Sequence, residues 1–365
     1  MVVANLVHRP LRSLISIIAI AVEVTLILVI VGLSIGILND GKQRQRGIGA
    51  DVMVQPPGAS AIGQLSGAPA PIKIADKLRA LPHVAAVSPV ITQLNTAGSV
   101  EVIYGIDLAS FEALGGPLRY LQGGPFQGPD DAIIDDYLAD SKHLRVGDTI
   151  QVIGKQPFRI SGIIQHGRGG RKFLPLAAMQ DLLGAQGKAS IFYVKTDDPK
   201  NADLVVQEIK NIPGMQDYST RTMQDWLSMM TPETVPGFST FIKVVIGVAV
   251  IIGFIVIFQA MYTAVMERTR EIGILKAMGA SKAYIMNVIL RETMLLAVVG
   301  IVLGIAISAV TRMGLVHRFP TIRVELTGHW IVNACIIALI GAALGAIYPA
   351  FKAAQKDPID ALAYE

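Results

Sequence analysis

The six histidines, at positions 8, 83, 143, 166, 317 and 329, show neither H-x-x-x-H nor H-E-x-x-H spacing. Those are the patterns that place two imidazoles on one helical face around a zinc ion. A single cysteine, Cys335, completes neither a zinc site nor a disulfide framework. Gly167-Arg168-Gly169-Gly170 is glycine-rich, but no buried strand is read before it and no Lys-Ser/Thr follows, so it is not expected to cradle a phosphate. Asp130-Asp131 and Asp135-Asp136 are carboxylate pairs of the kind used in acid–base catalysis. In this polar stretch they read as solvated loop residues. Catalytic, metal and cofactor sites are therefore not expected, and the chain is not expected to hydrolyse ATP by itself.

Other residues suggest work of a different kind. Glu23 interrupts an apolar run from Leu14 to Leu38. A carboxylate inside a membrane span costs on the order of 2.5–3.5 kcal/mol on insertion scales and turns toward protein or water. Its two readings are a proton or substrate contact and, favoured, a helix–helix hydrogen bond or a place near the interface. Gly32-x-x-x-Gly36, Gly300-x-x-x-Gly304 and Gly341-x-x-x-Gly345 each set two small residues on one helical face. Such faces allow close backbone approach, here including a subunit interface. Residues 266–281 read M-E-R-T-R-E-I-G-I-L-K-A-M-G-A-S. Ile274, Leu275 and Met278 share one face of a short helix, and Glu267, Arg268, Arg270 and Glu271 charge its start. Gly279 suits the position after the helix end, and Ser281 suits the cap of the next helix. An amphipathic helix lying on headgroups and a peg for a cytoplasmic partner are equally open from these residues alone.

The elements holding these residues follow from composition. Of 365 residues, 52% are hydrophobic and only 16% charged, against about 25% charged in soluble domains; the mean hydropathy is +0.51. Disorder is excluded, and 32 basic against 28 acidic residues are too balanced for nucleic-acid binding. An integral membrane protein is implied, with spans at 14–38, 244–266, 294–310 and 330–348, given that a span needs about 20 apolar residues. An even number of spans puts both termini on one side. That side carries nine basic residues in its short segments (Arg9, Arg12, Arg268, Arg270, Lys276, Lys282, Arg291, Lys352 and Lys356), and the loop after the third span carries three. The bias predicts cytoplasmic termini, although Lys42, Arg44 and Arg46 follow the first span on the other face. The first span is longer than a secretory signal core and lacks an A-x-A site, so it reads as an uncleaved anchor.

Residues 39–243 are then exported. Asp76–Val84 and Val206–Met215 each read as a short amphipathic helix closed by a proline, flanked by strand candidates at Asp51–Gln55, Val87–Ile91, Ser190–Lys195 and around Tyr218. The expected fold is an α+β domain of two split β-α-β units (48–101 and 189–235) carrying an inserted, mainly β subdomain (102–188). Within the insert, Val146–Ile153 and Phe158–Ile164 read as a hairpin around Gly154–Pro157, and Pro56–Pro71 reads as a mobile loop. On the cytoplasmic side lie residues 1–13, the segment 267–293 and the tail 349–365, while 311–329 is an outer loop. In the tail, Asp357 can cap a last helical turn begun by Pro358.

Two segments, E-R-T-R-E-I-G-I-L-K-A-M-G-A at 267–280 and Y-P-A-x-x-A-A-x-x-D-P-x-x-A-L at 348–362, resemble the FtsX-like (MacB-type) permease family of ABC transporters. The arrangement of one span, a large domain and three spans is also similar. The resemblance implies a bacterial inner-membrane protein that dimerises with a second copy or a paralogue. It implies docking of ABC-type ATPase subunits on a coupling helix, here Glu267, Arg268, Arg270, Glu271, Ile274, Leu275, Met278 and Gly279. ATP is then bound by the partner and no cofactor by this chain. Force passes through the spans to the exported domain, with a periplasmic adaptor or outer-membrane protein as a further candidate partner beside membrane lipids. The chain carries no phosphate loop, so it looks like a stand-alone permease. The leading expected function is export or extraction of an amphiphile, lipoprotein or peptide. The alternatives are a signalling permease that activates a cell-wall hydrolase and a membrane-anchored sensor without an ATPase.

Overall fold

A computed structural model describes residues 10–58, 69–95, 101–153, 156–235 and 237–355. The chain divides into a helical unit (1–36, 237–317 and 323–365) and a second unit (37–236 and 318–322).

Four helices are long and apolar enough to cross a membrane. They are α1 (Pro10–Ile48), α8 (Phe238–Glu267), α10 (Lys282–Arg318) and α11 (Gly328–Gln355). Each exceeds the apolar run that marks it, because polar flanks satisfy their backbone within the helix as cheaply as in water. Residues 311–318, expected as loop, continue α10 for this reason. The shared core of these helices includes Ile20, Val24, Ile27, Ile257, Met261, Ala297 and Ile301. The buried face of α11 is made almost wholly of small residues: Ala334, Ala338, Gly341, Ala342, Gly345, Ala346, Ala350 and Ala353. Small side chains let helix backbones approach within lipid, where apolar burial supplies little drive. The opposite faces (Val248, Ile251 and Ile255; Val298 and Val302; Ile336, Ile340 and Leu344) are exposed, as a lipid-facing surface requires.

The second unit is α+β. Among the described residues twelve strands form: β1 (Val52–Gln55), β2 (Ala70–Pro71), β3 (Val84–Asn95), β4 (Glu101–Ile106), β5 (Tyr120–Gly123), β6 (Asp131–Asp135), β7 (Thr149–Gln151), β8 (Pro157–Ile164), β9 (Lys172–Pro175), β10 (Lys188–Ala189), β11 (Ile191–Thr196) and β12 (Ser219–Thr222). Helices α2 (Ile74–Arg79) and α6 (Ala202–Asn211) join β1 to β3 and β11 to β12. These four strands lie in the order β12-β1-β11-β3, every pair antiparallel. That is a split β-α-β sheet of ferredoxin-like order. Strand residues alternate between faces: Val52, Val54, Phe192 and Val194 pack with Leu78, Val205 and Ile209. Met53 and Tyr193 instead join Ile48, Phe111 and Trp226.

The insert differs from the expected separate β subdomain. Its strands extend the same sheet in the order β3-β4-β9-β6-β8-β5, with β7 paired to β8. It also holds α3 (Leu108–Gly115), α4 (Asp136–Lys142) and α5 (Leu176–Leu182). Long β3 exposes an edge that β4 covers over the register Val90↔Ile106 to Asn95↔Glu101, and growth of one sheet satisfies that edge. The expected hairpin forms, with Ile150 opposite Phe158; its turn residues 154–155 lie outside the described residues. Of the stretch read as a mobile loop, 59–68 lie outside them too, whereas Ala70–Pro71 pairs with β10.

Candidate functional site

Between the second and third spans the chain folds as α9 (Thr269–Ala277). Its inner face, Thr269, Ile272 and Gly273, is buried. Two polar ties seat it: Arg268 pairs with Glu292 at the foot of α10 (3.1 Å), and Lys276 Nζ donates to the Ala354 carbonyl in the last turn of α11 (3.0 Å). The helix then ends in a Schellman motif. Gly279 N donates to Lys276 O (2.9 Å) and Ala280 N to Leu275 O (3.0 Å). The motif needs a left-handed residue after the cap, and Gly279 has φ +93°. Ser281 Oγ accepts from Tyr284 N (3.2 Å) and caps α10. The outer face is left bare: Ile274 is 44% exposed and Met278, one turn on, 71%. Arg270 and Glu271 are exposed beside them, and Glu267 is exposed at the close of α8. An apolar pair rimmed by charge on a short capped helix suits a groove in a water-soluble partner.

One residue expected on the exposed coupling surface lies elsewhere: Arg268 points inward, where its guanidinium pairs with the buried carboxylate of Glu292. Leu275 is half-buried and, with Glu271, Ile272, Ile274, Tyr284 and Glu292, lines a cleft of about 330 Å³ beside α9.

Within the spans, Glu23 is 3% exposed, and its two carboxylate oxygens have no hydrogen-bond partner among the described residues. The expected helix–helix hydrogen bond is not formed there. The carboxyl rests against Gly253 of α8, where a Cβ would collide with it, and near Gly341 of α11. The glycine pairs serve packing inside one chain. A Cβ on Gly304 would stand 2.8 Å from the Ala21 carbonyl oxygen of α1, and one on Gly300 2.8 Å from Ile20 Cβ. Gly345 packs on Ile257 and the Phe254 carbonyl. Gly32 and Gly36 take up the backbone of residues 323–325, and Glu325 N donates to Gly32 O (2.9 Å).

The far end of α1 is gripped by the α+β unit. Asp40 accepts from Arg44 Nε (3.0 Å) and from Arg171 Nη2 (3.0 Å), while Arg171 Nη1 pairs with Asp135 (3.2 Å). Arg171 also donates to the Thr321 carbonyl (3.1 Å), and Gly169 N donates to the Arg44 carbonyl (2.8 Å). One turn further, Gln45 Nε2 donates to the Tyr104 hydroxyl (2.9 Å) and Gln45 Oε1 accepts from that of Tyr193 (3.2 Å). The glycine-rich loop 167–170 thus clasps a helix; a Cβ on Gly47 would strike the Gly167 carbonyl. Of the carboxylate pairs, Asp130 is the exposed turn residue expected and Asp136 is half-buried, whereas Asp131 and Asp135 are buried. Asp131 is 3% exposed, pairs with Arg159 (2.9 Å) and accepts from Gln127 N and Gly128 N. Burial acts to raise its pKa, but these donors outweigh it and hold the carboxyl below the usual carboxylate range. Asp135 is 1% exposed and caps α4 through Leu138 N (2.8 Å). Burial pushes its carboxyl up to about 6, partly opposed by Arg171 and the Leu138 N–H.

Glu292, Arg171 and Gln45 were not singled out from the sequence. Arg171 carries a faint signal, since Asp135-Asp136 needs a cation if buried. Glu292 and Gln45 carry none, because their partners lie 24 residues or more away. Asp357 and Pro358 lie outside the described residues.

A family model described as MacB-like periplasmic core domain matches residues 13–212, and one described as FtsX-like permease C-terminal matches 243–358. The chain belongs to the FtsX/MacB-type family of ABC transporter permeases. It is 27% identical over 236 residues to the uncharacterized ABC transporter permease MJ1507 of Methanocaldococcus jannaschii, covering 60% of this chain and 58% of that one. It is also 27% identical over 320 residues to the macrolide export ATP-binding/permease protein MacB of a Shewanella species, covering 80% and 49%. The chain thus spans about half the length of these relatives. The crystal structure of the periplasmic region of MacB from Actinobacillus actinomycetemcomitans matches 51% of this chain and 94% of its own, with 17% identity and a TM-score of 0.38.

Proposed function

We propose that the chain is the permease subunit of an ABC transporter whose ATPase is a separate chain seated on α9. Movement of that ATPase is passed along α1 to the exported domain, which drives export or extraction of an amphiphile, lipoprotein or peptide. Both termini and α9 then lie in the cytoplasm of a bacterial inner-membrane protein, and a second permease copy or paralogue completes the transporter. The observation that carries this reading is the bare Ile274–Met278 pair on a helix held by its C-terminal cap and two polar ties. A helix fixed in this way transmits a push instead of absorbing it. Helix α1 provides an output rod: it is helical without a break from Pro10 to Ile48, and the Arg171 and Gln45 contacts grip its end.

The test is co-purification of the ATPase with full-length permease in mild detergent. Ile274→Asp/Met278→Asp is expected to lower ATPase recovery at least about tenfold, since apolar anchors in an interface carry most of its energy, while insertion and melting temperature stay unchanged. Arg268→Glu is expected to lower recovery and the melting temperature together, because it places two carboxylates side by side. Unchanged recovery with the double variant would remove the peg from the mechanism.

A further inference from the structure

A second cleft, of about 550 Å³, lies in the α+β unit. One wall is the end of α1, with Lys42 and Arg46, and another is α7 (Met223–Met229), with Met223, Gln224 and Leu227. Lys195 of β11 joins them. Lys42 and Arg46 stand one helical turn apart, and neither is paired with a carboxylate among the described residues. The acidic residue in the lining, Asp51, is already committed to Lys195 (2.9 Å), Thr196 N (3.0 Å) and Thr196 Oγ1 (2.9 Å). Asp40, on the same helix, is held by Arg44 and Arg171. The cleft therefore has an uncompensated positive wall facing Met223 and Leu227.

Its depth follows from helix geometry. At 1.5 Å per residue, Lys42 lies about 6 Å and Arg46 about 12 Å beyond Leu38, the last residue of the apolar run. The headgroup layer of one leaflet is roughly 5–8 Å thick, so the Lys42 backbone lies within it and that of Arg46 just outside, from where its long side chain reaches back. Helix α7 ends nine residues before α8 begins. A phosphate at this level comes attached to acyl chains. We infer that this cleft is a binding site for the headgroup of an anionic phospholipid or similarly phosphorylated amphiphile. Lys42 and Arg46 bind its phosphate by charge-assisted hydrogen bonds, and Met223 and Leu227 border the start of its chains. The site rests on the proposed function only for the membrane placement of α1, and it needs no ATP-driven cycle.

The test uses the full chain in neutral detergent, without ATPase or nucleotide, and compares phosphatidylglycerol with phosphatidylcholine by native mass spectrometry. A failure of ATPase coupling therefore leaves the result unaffected. The first phosphatidylglycerol is expected to bind about thirtyfold tighter, since the two juxtamembrane cations contribute about 1 kcal/mol each toward anionic lipid and about 1.4 kcal/mol is a factor of ten. Lys42→Gln/Arg46→Gln should abolish that preference, and Lys42→Arg/Arg46→Lys should retain it at an unchanged melting temperature. An equal affinity for the two lipids, or a preference surviving in the glutamine variant, would overturn the assignment. So would loss in both double variants, which would mark a merely structural role. Displacement of the lipid by millimolar inorganic phosphate would reveal a free-anion site, and displacement by an oligoglutamate peptide at lower concentration a protein-docking site; either result refutes the lipid assignment.

Discussion

Arg171 holds Asp40 and Asp135 at once, in a place where its own side chain is 11% exposed. Removing one partner from such a group strands the others, whereas keeping the geometry and changing the charge isolates the electrostatics. Asp135→Asn keeps the α4 cap and the shape. In the wild type the folded carboxyl titrates near 6, above its ordinary 3.8. The folded state thus holds this proton more tightly than the unfolded chain does. The stability that this proton contributes is complete below about pH 4 and is lost as pH rises through 6. The stability of the wild type relative to Asp135→Asn is therefore expected to fall by roughly 2–3 kcal/mol between pH 4 and 7. Thermal melts followed by the buried Trp226 would record it; a pH-independent difference would show that Arg171 fully offsets the burial. Glu23 presents the opposite case, a buried carboxyl with no cation paired to it among the described residues. The apolar runs 244–266, 293–311 and 330–351 contain no charged residue that could serve it.

At the scale of elements, backbone proximity is the currency of the spans. Gly304 approaches α1 so closely that a side chain must displace the Ala21 carbonyl, and backbone cannot step aside as a rotamer can. Gly304→Leu is expected to cost at least about 2 kcal/mol, the range for overpacking, and to lower the melting temperature in detergent. Gly247→Leu provides the control, since nothing lies within 4 Å of its Cβ position, and it should melt as the wild type does. Helix α9 obeys different rules. It is too short to persist alone and owes its order to the Gly279 cap and to the Arg268 and Lys276 ties. The same contacts leave Ile274 and Met278 outside the fold's own packing.

For the whole molecule the decisive quantity is sidedness. A force entering at α9 and leaving at the α+β unit requires the two on opposite faces of the bilayer. In a Cys335→Ser background, Met278→Cys on α9 and Lys210→Cys on α6 are both at exposed positions. A membrane-impermeant maleimide applied to intact spheroplasts is expected to label the second and spare the first until the membrane is broken. Labelling of both from outside would end the mechanical reading, whatever binds to α9.

The spans, α9 with its C-terminal cap, and the strand–helix–strand units were legible in the sequence because each depends on neighbours a few residues away. An apolar run must satisfy its backbone internally in lipid, a glycine adopts the left-handed angle after a helix, and a proline closes one. Placing the insert in the same sheet, turning Arg268 inward, and spending the glycine pairs on α1, α8 and residues 323–325 were decided by tertiary structure. So was the choice of Arg171 to bind Asp40 and Asp135 across 131 and 36 positions. Periodicity shows that a face is apolar, or that a carboxylate is present, but not what will lie against it. That is settled when distant segments meet and an unpaired charge or sheet edge becomes too costly to leave uncovered.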